Sequence, residues 1–259
     1  MKSALVVLAA VGLVAVTAAA NRAGRPLTVV ITVTRPAISP NGDSVRDTTR
    51  VQVTVDSAAT MTVSVQDRRG ALVDALVQGA QVQPGRNEFT WNGRAGSGRL
   101  ADGTYLVRAR AVGDNGASGE AQAKVVVDTV PPRIGWRGPL GRRVFHGMLP
   151  LALSIADRGS PPMRLQVTLE DQTGADLVGY SPAPRPNGPL RLGWRPHGGL
   201  PSGAYRVEVT ATDEAGNART SPPRPYLVER HAHPRTVSRI DGVGRHVALT
   251  FDDCGSPSA

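Results

Sequence analysis

The chain is 259 residues long, with 30 Lys plus Arg against 21 Asp plus Glu, one Cys, 4% aromatic residues and 50 Gly plus Pro. That length fits one large domain or two of ordinary size, and Gly plus Pro at about 19%, against ~12% in average usage, excludes a fold of long helices. A single Cys excludes an intrachain disulfide framework and a Cys-rich metal site, and the formal charge of +9 is carried by scattered Arg, 28 of the 30 basic residues, so no nucleic-acid partner is expected.

Residues 1–20 read as an export signal. Lys2 supplies a positive start, residues 4–20 carry no charge, and Ala18-Ala19-Ala20 supplies small residues for cleavage before Asn21-Arg22. A retained anchor is the alternative, because 17 uncharged residues sit at the lower edge of what spans a bilayer. Either way the remainder is expected outside the cytoplasm, secreted or in the cell envelope.

Residues 28–34 (TVVITVT), 51–56 (VQVTVD), 61–67 (MTVSVQD) and 105–112 (YLVRARAV) alternate with period two and are rich in Val and Thr, which predicts strands. Turn residues punctuate them at Pro40-Asn41-Gly42-Asp43, Asp67-Arg68-Arg69-Gly70, Asp102-Gly103 and Asp114-Asn115-Gly116. Short strands at such spacing predict an antiparallel sandwich.

The second half repeats the first. Val65 to Gly70 answers Leu169 to Gly174, Trp91 answers Trp194, Asp102-Gly103-Thr104-Tyr105 answers Ser202-Gly203-Ala204-Tyr205, and Asp114-Asn115-Gly116 answers Glu214-Ala215-Gly216, at offsets of 104, 103, 100 and 100. A repeat near 100 residues is one immunoglobulin-like sandwich long. Each copy carries a Trp at the end of a strand and a Gly-x-Tyr opening the next long one, so Trp91, Trp194, Tyr105 and Tyr205 are expected in the cores. Sugar stacking by Trp91, Trp136 or Trp194 is the functional alternative.

The run from Ile38-Ser39-Pro40-Asn41-Gly42-Asp43 through Thr90-Trp91-Asn92-Gly93 to Leu100-Ala101-Asp102-Gly103-Thr104-Tyr105 resembles the immunoglobulin-like domain of the flagellar hook-capping family, over about residues 36–128. That resemblance implies a spacer or scaffold and no chemistry. Val127-Asp128-Thr129-Val130-Pro131-Pro132 resembles the junction between tandem bacterial sandwiches, where a Pro pair stiffens the joint.

Two candidate metal sites lie in this part of the chain. Asn41, Asp43 and Asp47 place side-chain oxygens at a spacing suited to Ca²⁺, although Asx residues build such turns without metal. His231 and His233 form a pair in a Pro-containing connector, short of the four ligands of a structural site. No nucleophile elbow, dinucleotide fingerprint or phosphate loop occurs.

Residues 246–254 (HVALTFDDC) read as a buried strand ending in two carboxylates, the position where barrel enzymes place ligands and bases. The motif resembles the opening of the polysaccharide deacetylase family, metal-dependent deacetylases of chitin and peptidoglycan, whose Thr-Phe-Asp-Asp is usually followed by Gly. The resemblance implies Asp252 as the general base that activates water and Asp253 as a ligand of a Zn²⁺-like ion in the full-length parent. A metal-bound water loses its proton more readily, which gives two adjacent carboxylates different tasks. Cys254 stands where Gly is usual, and the family's His-x-x-x-His ligands do not occur among the six residues after Asp253.

The expected fold is therefore all-β: a signal peptide (1–20), two tandem immunoglobulin-like antiparallel sandwiches (27–129 and 130–229), a linker (230–245) and the first strand of a truncated α/β deacetylase barrel (246–259). The expected function is that of an exported, non-catalytic spacer or wall-docking region of a modular deacetylase, inactive at this length and holding no cofactor. Cell-wall polysaccharide or peptidoglycan is the expected partner, with no transmembrane partner evident. A purely structural or adhesive surface protein is the alternative; a hook-assembly scaffold is a weaker one, since hook components leave without a cleavable signal.

Overall fold

The computed structural model describes residues 26–96, 98–137, 142–144, 149–174, 176–180, 183–194 and 200–229, with the backbone of the strand Ala15–Ala19. Every element among the described residues is a strand. Residues 230–259 lie outside them, and with those residues the linker, the His231 and His233 pair, and the 246–259 segment bearing Asp252, Asp253 and Cys254.

The first half contains β1 (Ala15–Ala19), β2 (Val29–Val33), β3 (Ala37–Ile38), β4 (Thr49–Val55), β5 (Ala59–Gln66), β6 (Leu72–Val82), β7 (Gly85–Trp91), β8 (Arg94–Ala95), β9 (Gly98–Arg99), β10 (Gly103–Gly113) and β11 (Ser118–Val127). The second contains β12 (Arg133–Trp136), β13 (Arg142–Val144), β14 (Leu149–Ala156), β15 (Arg164–Glu170), β16 (Asp176–Tyr180), β17 (Gly188–Trp194), β18 (Gly203–Thr212), β19 (Ala218–Thr220) and β20 (Arg224–Glu229).

Alternation does what the sequence leads one to expect. In β4, Thr49, Val51, Val53 and Val55 are buried while Arg50 and Thr54 face water; in β5, Ala59, Met61, Val63 and Val65 turn inward. One sheet runs β1-β11-β10-β5-β6, with β3 parallel to β11, and faces a three-stranded sheet β2-β4-β7. The inner faces of both sheets fill one core, with Ile31, Val53, Met61, Trp91 and Val107 inaccessible to solvent. Trp91 meets Tyr105 edge to face, with ring centroids 5.7 Å apart, and donates from Nε1 to the Arg94 carbonyl at 3.3 Å.

The second half repeats the main strand order, with β19 and β20 together taking the place of β11. Its large sheet runs β13-β20-β18-β15-β16, with β13 parallel to β20, and its small sheet runs β12-β14-β17. A separate core of Leu153, Ile155, Leu165, Val209 and their neighbours fills it. Trp136 lies half-buried against that core, and Trp194 ends β17, with its backbone paired to Leu149. Tyr205 donates its hydroxyl to the Pro201 carbonyl at 2.8 Å, as Tyr105 does to Ala101 at 2.7 Å. Two sandwiches, each with its own core, are thus the architecture.

β1 falls within the expected leader and pairs antiparallel with β11, from Ala15 opposite Gln122 to Ala19 opposite Ser118. Removal of residues 1–20 would take this strand away and leave the 118–122 edge of β11 unpaired.

Candidate functional site at the joint between the sandwiches

Polar side chains cluster where the end of the first sandwich meets loops of the second. Three segments of the first sandwich arrive here. Ser39 follows β3, the loop of residues 41–47 precedes β4, and Asp128 follows β11 as the chain leaves the sandwich. The second contributes the turn of residues 157–160 after β14 and the turn of residues 213–217 between β18 and β19.

The 41–47 loop is shaped by its own Asx residues. Asn41 Oδ1 accepts from Asp43 N at 2.9 Å, Asp43 Oδ1 from Val45 N at 2.7 Å, and the Asp47 carboxylate from Gly42 N and Ser44 N at 2.9 and 2.8 Å. These oxygens face backbone N–H groups, the arrangement of nested Asx turns. Ser44 and Arg46 are held at φ +69° and +54°, in the left-handed region that non-glycine residues rarely adopt. In that conformation Arg46 extends its guanidinium across the joint to donate to the Glu214 carbonyl. Gly216, at φ +93°, lies beneath it: a Cβ there would stand 3.1 Å from Arg46 Cδ and from Val45 Cγ1.

Asn217 is the centre of the contact and is 5% exposed. Its Oδ1 accepts from Ser39 Oγ at 2.6 Å, and its Nδ2 donates to the Asp128 carbonyl at 2.8 Å and to Asp213 Oδ2 at 2.9 Å. One amide thereby ties two segments of the first sandwich to a turn of the second. Ser160 performs a similar task, donating its hydroxyl to Asp128 Oδ2 at 2.7 Å and accepting Ala215 N at 3.2 Å. Gly159 is required for this approach, because a Cβ at that position would lie 2.2 Å from the Asp128 carboxylate. Buried polar groups that are all bonded fix one arrangement, since any slippage leaves them unpaired in a dry environment.

Asp128, Asp157 and Asp213 are 2%, 6% and 3% exposed, and their carboxylate oxygens lie within 4.8 Å of one another. Burial pushes the Asp213 carboxyl up to about 6; hydrogen bonds from Asn217 oppose the shift and the charges of Asp128 and Asp157 add to it. Burial likewise raises Asp128, against the bonds from Ser160 and Val130 and with help from the charges of Asp157 and Asp102. The spacing would admit a cation. Five of the six oxygens already accept from Val130 N, Ser160 Oγ, Ser160 N, Asn217 N and Asn217 Nδ2, bonds that build the cluster into the joint.

Sequence reasoning named Asp128 and the 214–216 turn, but not Asp157, Asp213, Asn217 or Ser160. The outlying candidates remain apart. Trp91 is a core residue, as expected. Trp136 keeps its indole Nε1 buried without a hydrogen-bond partner. A shallow polar cleft lined by Asp67, Arg68, Asp102 and Tyr105 has its Arg68 guanidinium already bonded to Thr104.

Residues 36–115 match the FlgD Ig-like domain. The match spans less than a third of the chain and lies within the first sandwich. No curated protein matches the chain. Among solved structures, the fibronectin(III)-like modules of CbhA from Clostridium thermocellum are 17% identical, with 78% of this chain and 95% of theirs covered at a TM-score of 0.40. A tetra-tandem repeat from the extending region of a large adhesion protein is 19% identical, covering 78% of this chain and 49% of that one at 0.37. The FN1–FN3 domains of chicken CNTN1 are 15% identical, with 73% and 64% covered, at 0.31. At these TM-scores the superpositions carry no argument, and the architecture rests on the strand pairing above.

Proposed function

We propose that this chain is a non-catalytic spacer that holds two sandwich modules in one set orientation within an exported, wall-associated protein. The observation that carries this reading is the joint, where Asn217 of the second sandwich bonds Ser39 and Asp128 of the first at once. A flexible tether needs no such bonds; a spacer that must project a neighbour in a fixed direction does.

The test is a spin-label distance measurement across the joint in the full chain, with Cys254→Ser as background and labels at Thr54→Cys and Arg206→Cys, both exposed positions on strands. One narrow distance distribution is expected, broadened by Asn217→Ala. A broad distribution at both pH 5 and pH 8 in the chain with Asn217 intact would sink the spacer reading.

The finer reading is that the neighbour being projected is a polysaccharide deacetylase domain. Its support is the run Val247-Ala248-Leu249-Thr250-Phe251-Asp252-Asp253, with Asp252 as base and Asp253 as metal ligand of the parent reaction, hydrolysis of N-acetyl groups on amino sugars. Translation of the coding DNA beyond Ala259 is expected to yield a His-x-x-x-His within roughly a hundred residues, and its absence in all frames would leave the purely structural or adhesive role. The isolated chain is expected to release no acetate from chitin oligomers. Release that depended on Asp252 would overturn that expectation. Docking to purified cell wall through scattered Arg is expected to weaken as salt rises.

A further inference from the structure

We propose that the joint between the sandwiches is a proton-operated latch, closing into its single arrangement when the Asp128, Asp157 and Asp213 cluster takes up a proton and slackening when all three carboxylates are ionised. The proposal rests on the spacer reading above and adds the condition under which the spacer is stiff.

The geometry carries it. The three carboxylates come from different places: Asp128 from the end of the first sandwich, Asp157 and Asp213 from two turns of the second. They share a buried site with ligand atoms within 4.8 Å. Three negative charges at that range repel one another strongly in a poorly hydrated site. A single proton taken up by one carboxyl removes its charge and with it two of the three repulsions. Undocking the sandwiches is the other way to relieve them, because it carries Asp128 away from Asp157 and Asp213.

The groups that face the cluster leave it uncompensated. From the first sandwich come Asp102, which accepts from Thr129 N and Oγ1, and Arg46, whose guanidinium donates to the Glu214 carbonyl. Asp43 and Asp47 of the 41–47 loop bond their own backbone. From the second sandwich come Glu214, and Arg158 on the exposed side of the 157–160 turn. Among the described residues no ion pair to Asp128, Asp157 or Asp213 forms; the salt bridges are Arg86 with Glu88 and Arg108 with Glu120, both elsewhere.

The sign follows from the direction of the shifts. Asp128 and Asp213 are both raised in the docked state, Asp213 to about 6. Docking therefore takes up protons. Its stabilisation is fully present below the ordinary carboxylate range and is lost as pH rises through about 6.

The spin-labelled full chain is measured at pH 5 and pH 8 in buffers containing a chelator, with circular dichroism to verify that both sandwiches stay folded. A narrow distribution at pH 5 that broadens at pH 8 is expected, with a midpoint near 6. Asp157→Asn keeps an acceptor oxygen for Ser160 N, puts an amide nitrogen where the other carboxylate oxygen stands and removes one charge, and is expected to give the narrow distribution at both pH values. Equal narrow distributions in the unmodified cluster at both pH values would overturn the latch while leaving the spacer intact; broad distributions at both would remove spacer and latch together. Full pH dependence surviving in Asp157→Asn would also overturn it, as would narrowing at pH 8 produced by calcium alone, which would make a cation the operating ligand.

Discussion

The two sandwiches share their strand order and differ at the end where they meet. The strand registers align Val55 with Ile155, Val112 with Thr212 and Val127 with Val228, because each pair faces equivalent partners in its own sheet. On that alignment Ser57, Gly113 and Ala117 stand in the first sandwich where Asp157, Asp213 and Asn217 stand in the second. The turn itself is conserved in shape: Gly113 N donates to Ala117 O as Asp213 N donates to Asn217 O. The chemistry of the joint was thus placed on an unchanged turn in one copy alone. The first sandwich supplies the other half through length. Ten residues connect β3 to β4, enough to carry Arg46 across to Glu214, whereas four connect β13 to β14. A duplicated core fixes the fold, and the positions where the copies diverge mark what each copy does.

The strongest way to break the comparison is to remove one core and leave the other. Trp91 is fully buried beneath both sheets of the first sandwich, so Trp91→Ala is expected to cost about 3–5 kcal/mol. Denaturation followed by circular dichroism should then resolve two transitions, the first sandwich unfolding early and the second near its original midpoint. A single shifted transition would mean that the two cores are not independent.

Changes at the joint should leave both cores intact and separate them from each other. Asn217→Ala strands the Ser39 hydroxyl and the Asp128 carbonyl, each a buried polar group worth about 1–3 kcal/mol when unpaired. Gly159→Ala drives a methyl group into the Asp128 carboxylate and is expected to undock the modules as fully. In both variants the radius of gyration from solution scattering should rise while the strand content by circular dichroism stays constant. Scattering unchanged by either substitution would show that the junction of residues 128–132 alone sets the orientation.

Much of the fold could be read from residues 28–112 because a period of two reports burial directly. β6 could not: across Leu72–Val82 half-buried and exposed residues follow no strict alternation, and its pairing with β5 shifts register three times. The cores were legible through Trp91 and the Gly-x-Tyr repeat. The joint was not, for a physical reason. Asp213 and Asn217 lie four residues apart in a turn, where Asp and Asn are ordinary for local bonding, and only bonds spanning 89 and 178 residues give them another role. A comparison of the copies position by position, asking where small residues become acidic or amide, would have found them. The Pro pair announces a stiff joint in the sequence, whereas the hydrogen bonds between loops that add to it are visible only in the structure.

Equal effects in the two copies would sharpen the comparison from the other side. Tyr105→Phe and Tyr205→Phe each remove one hydroxyl bond to a carbonyl four residues upstream, at 2.7 and 2.8 Å. Each is expected to cost about 0.5–1.5 kcal/mol, and the two values should agree. Thermal denaturation of the single variants and of the pair checks both, with additivity expected because the sites lie in separate cores.

The smallest expected effect belongs to the loop that only the first sandwich has at this length. Asp47 holds Gly42 N and Ser44 N, and through them it braces the left-handed turns at Ser44 and Arg46. Both donors are exposed, so water replaces the carboxylate in Asp47→Ala and the loss should be about 0.5–1 kcal/mol, near that of a removed helix cap. The consequence reaches further than that figure, because an unbraced Arg46 is free to return to ordinary φ and withdraw from Glu214. Asp47→Ala should therefore broaden the spin-label distances more than its effect on the melting midpoint suggests. If instead calcium raises the midpoint and Asp47→Ala abolishes that response, the loop holds an ion and its Asx turns are secondary.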